Sequence, residues 1–409
     1  MGGGVIQLVS VGKQGNKLIS KPNISFFNYI FKKHTNFSIE SIPLNFNQEV
    51  DFGKTSVCKI GRHGDLLYKC FLEFKLPKIE IDNAGWTNGL GNALIDSIEL
   101  LIGGEIIDKM DGNLLDIYAE YFLEEGKKKI YHKLVGYQKI FDPGAEFINT
   151  NLKLYVPLEF WFCRHISNAL PLISMQYHDV EIRVKIKKFN ECYVSNDNSD
   201  VEAIKITNCK LYADYIYLDI EERDEFAKRS NEYLIIQHQK NTHNTFEFIN
   251  KNIKIDLTFN HPVKSLFWFI KTLQSDKDKL HFDYSPRKKE NNKEKYVDNI
   301  FIDDFHLLLN GQERFSRRDG YFFRYIEPMK CCKNIPENKE IYNYNFGFNS
   351  HQLQPNGFLN FSMINNSQFL IDLVDDTNID NDKLNITIYA LNYNILRIQS
   401  GMGGLLYQD

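Results

Sequence analysis

Pro157-Leu-Glu-Phe-Trp-Phe-Cys-Arg-His165 and Leu170-Pro-Leu-Ile-Ser-Met-Gln-Tyr-His-Asp-Val-Glu-Ile-Arg183 are the two segments on which the reading of this chain turns. The first packs apolar and aromatic residues round one arginine and one histidine, and it matches no common catalytic motif. The second reads as a strand, apolar in its first half and alternating apolar with charged residues in its second. That period of two is what a sheet with one face in a core requires. It recurs from Ser38 to Ile42, Val180 to Ile186, Ile204 to Thr207, Ile253 to Leu257 and Leu384 to Tyr389.

Turn-forming clusters separate these segments: Gly61-Arg-His-Gly64, Gly103-Gly104, Asn196 to Asp200 and Asp375 to Asp382. Many short strands between such turns predict an antiparallel sandwich of the all-β class rather than an α/β enzyme. Two helices stand out. One runs from Gly112 to about Glu125, with an apolar stripe through Leu114, Leu115, Ile117, Tyr118, Tyr121 and Phe122, an N-cap at Asp111 and a stop at Gly126. The other, from Glu221 to Ser230, is charged enough for a surface connector. It follows the apolar strand Leu211 to Leu218 and sets a domain boundary at 220/221. Asp96-Ser-Ile-Glu-Leu-Leu-Ile-Gly-Gly-Glu105 and Asp304-Phe-His-Leu-Leu-Leu-Asn-Gly-Gln-Glu313 read alike, each an apolar strand entering a glycine turn, with a candidate helical stretch after it (Gly112 to Glu125 and Asp319 to Ile326).

At 409 residues the chain suits two domains of about 200 residues each. Its 14% aromatic content favours β architecture, and its net charge of −4 offers no global field for nucleic acid. The longest apolar stretches, such as Leu266 to Ile270, are far shorter than a membrane span. No signal peptide is read at the start, and Ile6 stands where a myristoylation site wants Ser or Thr. Seven cysteines suit a reducing cytosol, where the sequons at Asn23, Asn36, Asn360, Asn365 and Asn385 carry little weight. From Thr272 to Asp298 the apolar pattern gives way to mixed charge, which predicts an exposed, solvated loop.

The chemical motifs fail one by one. Gly89 and Gly91 begin a GxGxxG that Leu94 breaks, and no Walker loop, HExxH or paired CxxC occurs. The adjacent Cys331 and Cys332 read as half-buried structural thiols. His34, His63, His165, His178 and His306 read as structural: Glu181 lies three residues after His178 and Asp303 three before His306, and on strands such spacing sends side chains to opposite faces. Asp375, Asp376, Asp380 and Asp382 lack the glycine and terminal glutamate of a calcium loop and read as a solvated turn. Trp161 and Trp268, flanked by Phe, read as core between sheets. The expectation is no catalytic residue, no metal, no cofactor and no small-molecule substrate.

Several separated strings resemble one family in the right order. They are Gly2-Gly-Gly-Val-Ile-Gln-Leu-Val9, the stretch from Asn23 to Phe37, Phe52-Gly-Lys54 with Arg62-His-Gly-Asp-Leu66, and the opening pair of segments. In the second half they are Leu309-Asn-Gly-Gln-Glu-Arg314, Tyr321-Phe-Phe-Arg-Tyr-Ile326, Gln354 to Ser362 and Tyr393 to Leu405. Together they resemble the major capsid protein of nucleocytoplasmic large DNA viruses, over nearly the whole chain. Glu327-Pro-Met-Lys-Cys-Cys-Lys333 departs from the His-rich segment that relatives often carry there.

The resemblance implies two tandem eight-stranded antiparallel jelly rolls with a few short helices in loops. It divides the chain into an N-terminal arm (1–22), jelly roll 1 (23–220) and jelly roll 2 with a C-terminal tail (221–409). It implies a structural protein of an icosahedral virion, a homotrimer of pseudo-hexagonal outline assembled in host cytoplasm. Its expected partners are itself, neighbouring capsomers, penton and minor capsid proteins, and an inner viral membrane near the arm, with no direct nucleic-acid contact. A double jelly-roll scaffold or minor capsid paralogue that shapes the membrane during assembly is the alternative.

Overall fold

The computed structural model describes residues 2–79, 84–137, 151–195, 204–247, 252–273, 275, 279–284, 287–290, 293–296, 301–336, 339–374 and 383–408. In the first half the alternating segments become β1 (Phe37–Leu44), β2 (Thr55–Lys59), β3 (Leu66–Leu76), β4 (Ala84–Trp86), β5 (Ile95–Ile102), β6 (Glu105–Met110), β7 (Leu152–Pro157), β8 (Leu170–Pro171), β9 (Val180–Ile186), β10 (Tyr193–Ser195) and β11 (Asn208–Leu218). They form an antiparallel sheet in the order β1-β11-β3-β7, with β8 added to β3, and a second in the order β2-β9-β5-β6. β4 pairs with β10. Leu72 and Phe74 of one sheet and Ile98, Leu100, Ile182 and Val184 of the other share one core. The alternation of β9 has done its work there, with Val180, Ile182, Val184 and Ile186 buried and the charged residues between them outside.

The second half gives β12 (Asn231–Glu247), β13 (Asn252–Asp256), β14 (Pro262–Thr272), β15 (Arg287–Glu290), β16 (Lys293–Tyr296), β17 (Ile302–Leu309), β18 (Gln312–Glu313), β19 (Ile341–Asn345), β20 (Leu359–Asn360), β21 (Ser367–Leu373), β22 (Lys383–Gln399) and β23 (Met402–Leu405). Its sheets run β12-β22-β14-β19 and β13-β21-β17-β18, with β20 added to β14 and β23 to β22. Strand for strand this is the order of the first half, down to the short extra strand on β3 or β14. The two glycine turns are equivalent: Gly103-Gly104 joins β5 to β6, and Asn310-Gly311 joins β17 to β18, all four at positive φ. The fold is all-β, a double jelly roll.

Residues 1–36 form a unit by themselves, with helices α1 (Gly3–Val9) and α2 (Gly12–Ile19) and no buried residue in either. The 22 residues expected of the arm lie within this unit, and the unit as a whole, residues 1–36, is called the arm below. Further helices lie in connections: α3 (Leu90–Ala93), α4 (Gly112–Phe122), α5 (Glu125–Leu134), α6 (Trp161–Arg164), α7 (Ile220–Lys228) and α8 (Glu327–Cys331). Asp111 caps α4 as predicted, its carboxylate accepting the Leu114 N–H at 2.9 Å. Gly112 is required there, since a Cβ would lie 2.0 Å from Asn92 O.

Several readings need correction. Gly126 does not stop α4; the chain turns extended at Leu123 and Glu124, and Gly126 lies in the first turn of α5, which buries Lys128, Tyr131 and His132. The segment from Leu170 to Arg183 is not one strand: β8 ends at Pro171, a 3-10 turn follows at Leu172–Ser174, and pairing resumes at Val180. His178 therefore precedes β9 rather than lying in a strand. Residues 204–207 are irregular, with the Thr207 N–H bonded to Lys75 O just before β11 begins. Within 272–298, Ser275, Phe282, Asp283 and Tyr284 are buried and β15 pairs with β16, so that stretch is not simply a solvated loop. The acidic cluster at 375–382 lies outside the described residues.

Candidate functional site: the junction of the two sandwiches

Helix α4 carries Leu114, Leu115, Ile117, Tyr118, Ala119 and Tyr121, all buried, and it buries Asp116 and Glu120 with them. A helix dry on every face must pair its acids, because an ionised carboxylate without partners is costly in a low dielectric. The partner comes from far along the chain. Lys339 Nζ lies 2.6 and 2.7 Å from the Asp116 carboxylate oxygens and 2.9 Å from Glu120 Oε1. Tyr137 OH donates to Asp116 at 2.7 Å, and Lys128 Nζ reaches Glu120 at 2.6 Å. Burial works against ionised Glu120, yet Lys339, His132 and Lys128 outweigh it and hold its carboxyl well below the usual range. Burial alone would lower Lys339, but Asp116 and Glu120 raise it above the ordinary lysine value.

Two further clusters continue this seam. Asp111, besides capping α4, accepts from Tyr389 OH at 2.7 Å and from Lys240 Nζ at 2.6 Å. Burial pushes its carboxyl up, and Lys240, Tyr389 and the Leu114 N–H together hold it below the carboxylate range. At the other, His238 Nε2 faces Tyr118 OH at 2.9 Å and Arg164 Nη2 at 3.0 Å. The guanidinium can only donate, so the His238 proton sits on Nδ1 and is donated to Asp108 at 2.9 Å. Asp108 also accepts the His238 backbone N–H at 3.0 Å, and Gln237 Nε2 donates to Ile107 O at 2.5 Å.

Apolar contacts fill the space between these polar clusters. Phe267 meets Tyr121 at a tilt and Phe122 edge-on, with ring centroids 5.1 and 5.9 Å apart, and Phe269 lies 4.3 Å from Tyr284. Tyr121 OH donates across the seam to Ile341 O at 2.7 Å. The arrangement is an anchor. It fixes one sandwich to the other through ion pairs and a histidine–carboxylate hydrogen bond whose members lie more than a hundred residues apart in sequence.

The segment from Pro157 to His165 belongs here. Phe160, Trp161 and Phe162 are buried, and α6 projects Arg164 towards the seam, over the Tyr118 ring at 4.4 Å. Arg164 also opens on a cleft of about 680 Å³ lined by Lys69, Phe71, Tyr118, Lys264 and His351. Lys264 is buried, with its Nζ donating to Gln352 O at 2.8 Å; burial, and then Arg164, pull its ammonium down to about 8.

The other residues singled out in the sequence are scattered. His34 is in the arm. His63 meets Tyr215 edge-on at 5.5 Å, His165 Nδ1 lies 2.7 Å from Ser167 Oγ, His178 Nδ1 lies 2.8 Å from Gly403 O, and His306 is buried on β17. Cys331 is buried and Cys332 half-buried, with sulfurs 3.6 Å apart and no disulfide. Trp161 and Trp268 are both core. The sequence reading missed Asp108, Asp116, Glu120, His238, Lys240 and Lys339. Asp116 and Glu120 did leave a signal, two acids four apart in the apolar run Leu114 to Phe122, but their partners had none.

Two family models match the chain: "Major capsid protein N-terminus" over residues 25–219 and "Large eukaryotic DNA virus major capsid protein" over residues 222–404. The major capsid protein of Pyramimonas orientalis virus is 34% identical over 437 aligned residues that cover all of both chains. That of Paramecium bursaria Chlorella virus 1 is 31% identical, again covering all of both. Among solved structures, the quasi-atomic model of the PBCV-1 virus capsid superimposes with a TM-score of 0.82 at 28% identity, covering 94% of this chain and 100% of that one.

Proposed function

The chain belongs to the major capsid proteins of the large eukaryotic DNA viruses, structural proteins rather than enzymes, and from that premise we propose that three copies form one capsomer of pseudo-hexagonal outline. The observation that carries this reading is the repeated strand order. Two sandwiches of the same topology in one chain, fixed to each other by the buried seam, make six similar wedges when three chains meet. One such particle tiles a flat facet. The reading takes residues 1–22 as the arm, 23–220 as the first jelly roll and 221–409 as the second.

Exposed apolar side chains at Tyr321, Met329, Phe348, Phe358 and Met363 of the second sandwich supply material for contacts between chains. Each interface is expected to bury more than about 2,000 Å², the scale of permanent assemblies. In the virion the capsomer meets neighbouring capsomers, penton and minor capsid proteins, with a membrane beneath; assembly takes place in host cytoplasm.

Light scattering of the purified chain tests the proposal. A particle near three times 48.0 kDa with a hexagonal outline in negative stain is expected, and a monomer that persists at micromolar concentration overturns it. Presence in purified mature virions then separates a shell tile from a scaffold that leaves.

A further inference from the structure

The arm differs in chemistry from everything after it. Residues 2–36 hold Lys13, Lys17, Lys21, Lys32 and Lys33 and no arginine, aspartate or glutamate. The whole chain carries −4, so residues 37–409 carry −9 against the arm's +5. A charge asymmetry of that size within one chain marks a segment with an anionic partner.

The same residues expose their apolar side chains. Phe27 is 100% exposed, Phe26 91% and Phe31 82%, and on the helices Leu8, Val9 and Leu18 are likewise in solvent. In α2, Lys13 and Lys17 are four apart on one side, while Leu18 and the cap residue Val11, seven apart, share another. Behind the helix comes Ser25-Phe-Phe-Asn-Tyr-Ile-Phe-Lys-Lys33, in which rings and lysines are neighbours. Rings that sit at an apolar boundary beside ammoniums that stay in water are the composition of a segment lying in a bilayer interface.

We propose that residues 2–36 form a peripheral membrane anchor that takes an anionic lipid surface. The lysines sit among the headgroup phosphates and carboxylates, and the rings of Phe26, Phe27 and Phe31 enter the boundary between headgroups and acyl chains. Single-stranded nucleic acid would also accept lysine and aromatic rings. It has no use for the aliphatic side chains at Leu8, Val9, Leu18, Ile24 and Ile30, and stacking grooves draw on arginine, which the arm lacks. Lipid accommodates aliphatic and aromatic residues alike, and it needs no fixed geometry from the segment that enters it.

The inference stands on the arm alone and does not depend on the oligomeric state. The test is sedimentation of the full-length chain with vesicles of phosphatidylcholine and phosphatidylserine at roughly 7:3, and with phosphatidylcholine alone, in about 0.15 M salt. The expected result is partitioning to the anionic vesicles about tenfold above the neutral ones. The pairs Phe26→Ser/Phe27→Ser and Lys32→Glu/Lys33→Glu should each abolish most of it while thermal unfolding stays unchanged, because these residues lie outside the unit that begins at Phe37. Failure of the wild-type chain to pellet, equal partitioning to neutral vesicles, or variants that pellet like wild type would each overturn the proposal. So would release from the vesicles by a single-stranded oligonucleotide at equal charge concentration, which would assign the arm to nucleic acid. A trimer that ignores vesicles sinks the anchor and leaves the capsomer standing; a monomer that pellets does the reverse.

Discussion

Strands β3 and β14 hold the same place in the same strand order, and each carries one extra residue near its start, opposite β11 and β22. Their outer faces differ. On β3, Phe71 is half-buried and Lys75 exposed, and the one buried acid, Glu73, is held by Lys75 at 3.7 Å and Lys153 at 3.2 Å. On β14 the outer face is as dry as the inner. Phe267 and Phe269 pack into the core of the first sandwich, while Leu266, Trp268 and Ile270 pack into their own. Equivalent topology does not give equivalent burial. What covers β14 is helix α4, a connection in the first jelly roll; the second inserts at the equivalent point only a π-turn at Phe322–Ile326 and the five residues of α8.

The hardest way to break the asymmetry is to remove the cation at its centre. Lys339→Met leaves Asp116 and Glu120 buried without their shared partner and should cost about 3–5 kcal/mol in chemical denaturation. Adding Asp116→Asn and Glu120→Gln should recover much of that, whereas an equally unstable triple variant would mean that packing rather than charge holds the seam. The pH dependence follows from the two shifts. The depressed Glu120 contributes stability above the unfolded glutamate value of about 4.3 and loses it as pH falls towards its folded value. The raised Lys339 contributes below about 10.4 and loses it as pH rises through its folded value. The seam should therefore hold between about pH 5 and 10 and weaken first in acid.

Next comes the pair of equivalent strands. Phe267→Ala opens a cavity in a core closed on both sides and should cost about 3–5 kcal/mol. Phe71→Ala, on the half-open face of β3, should cost about 1 kcal/mol. Equal losses at the two positions would remove the distinction between a covered and an open sheet.

One effect has the opposite sign. Lys264, buried and pulled down to about 8, binds its proton less tightly than the unfolded lysine at about 10.4. Between those values the unfolded state holds more protons, so stability rises with pH there. Lys264→Met should raise stability at pH 7 by about 1–3 kcal/mol and flatten that rise. A variant that is less stable at pH 7 would show that the bond to Gln352 O outweighs the desolvation.

Local pattern carried much of this fold. Helix α4 was legible from Asp111 and its apolar stripe, β9 from its alternation, and the repeat from the two glycine turns. The errors have local causes of their own. Leu170 to Arg183 passes for one strand because apolar residues in a 3-10 turn look the same as apolar residues in a sheet. Gly126 looked like a stop, yet the break comes at Leu123 and Glu124, where the backbone turns extended and α5 buries a different set of side chains.

The unbroken apolar run Leu266 to Ile270 was visible too, and a strand without alternation is a strand covered on both faces. The sequence by itself determined alternating strands, from the period of side chains along them, and two domains, from chain length and the repeat. It marked Leu266 to Ile270 only as too short for a membrane span and Trp268 as core, not as a strand dry on both faces. Only the tertiary structure decided what does the covering and which charges meet. Lys339 reaches Asp116 across 223 residues, and His238 reaches Asp108 across 130. No periodicity links positions that far apart; the requirement that every buried charge find a partner is imposed by the closed interior alone.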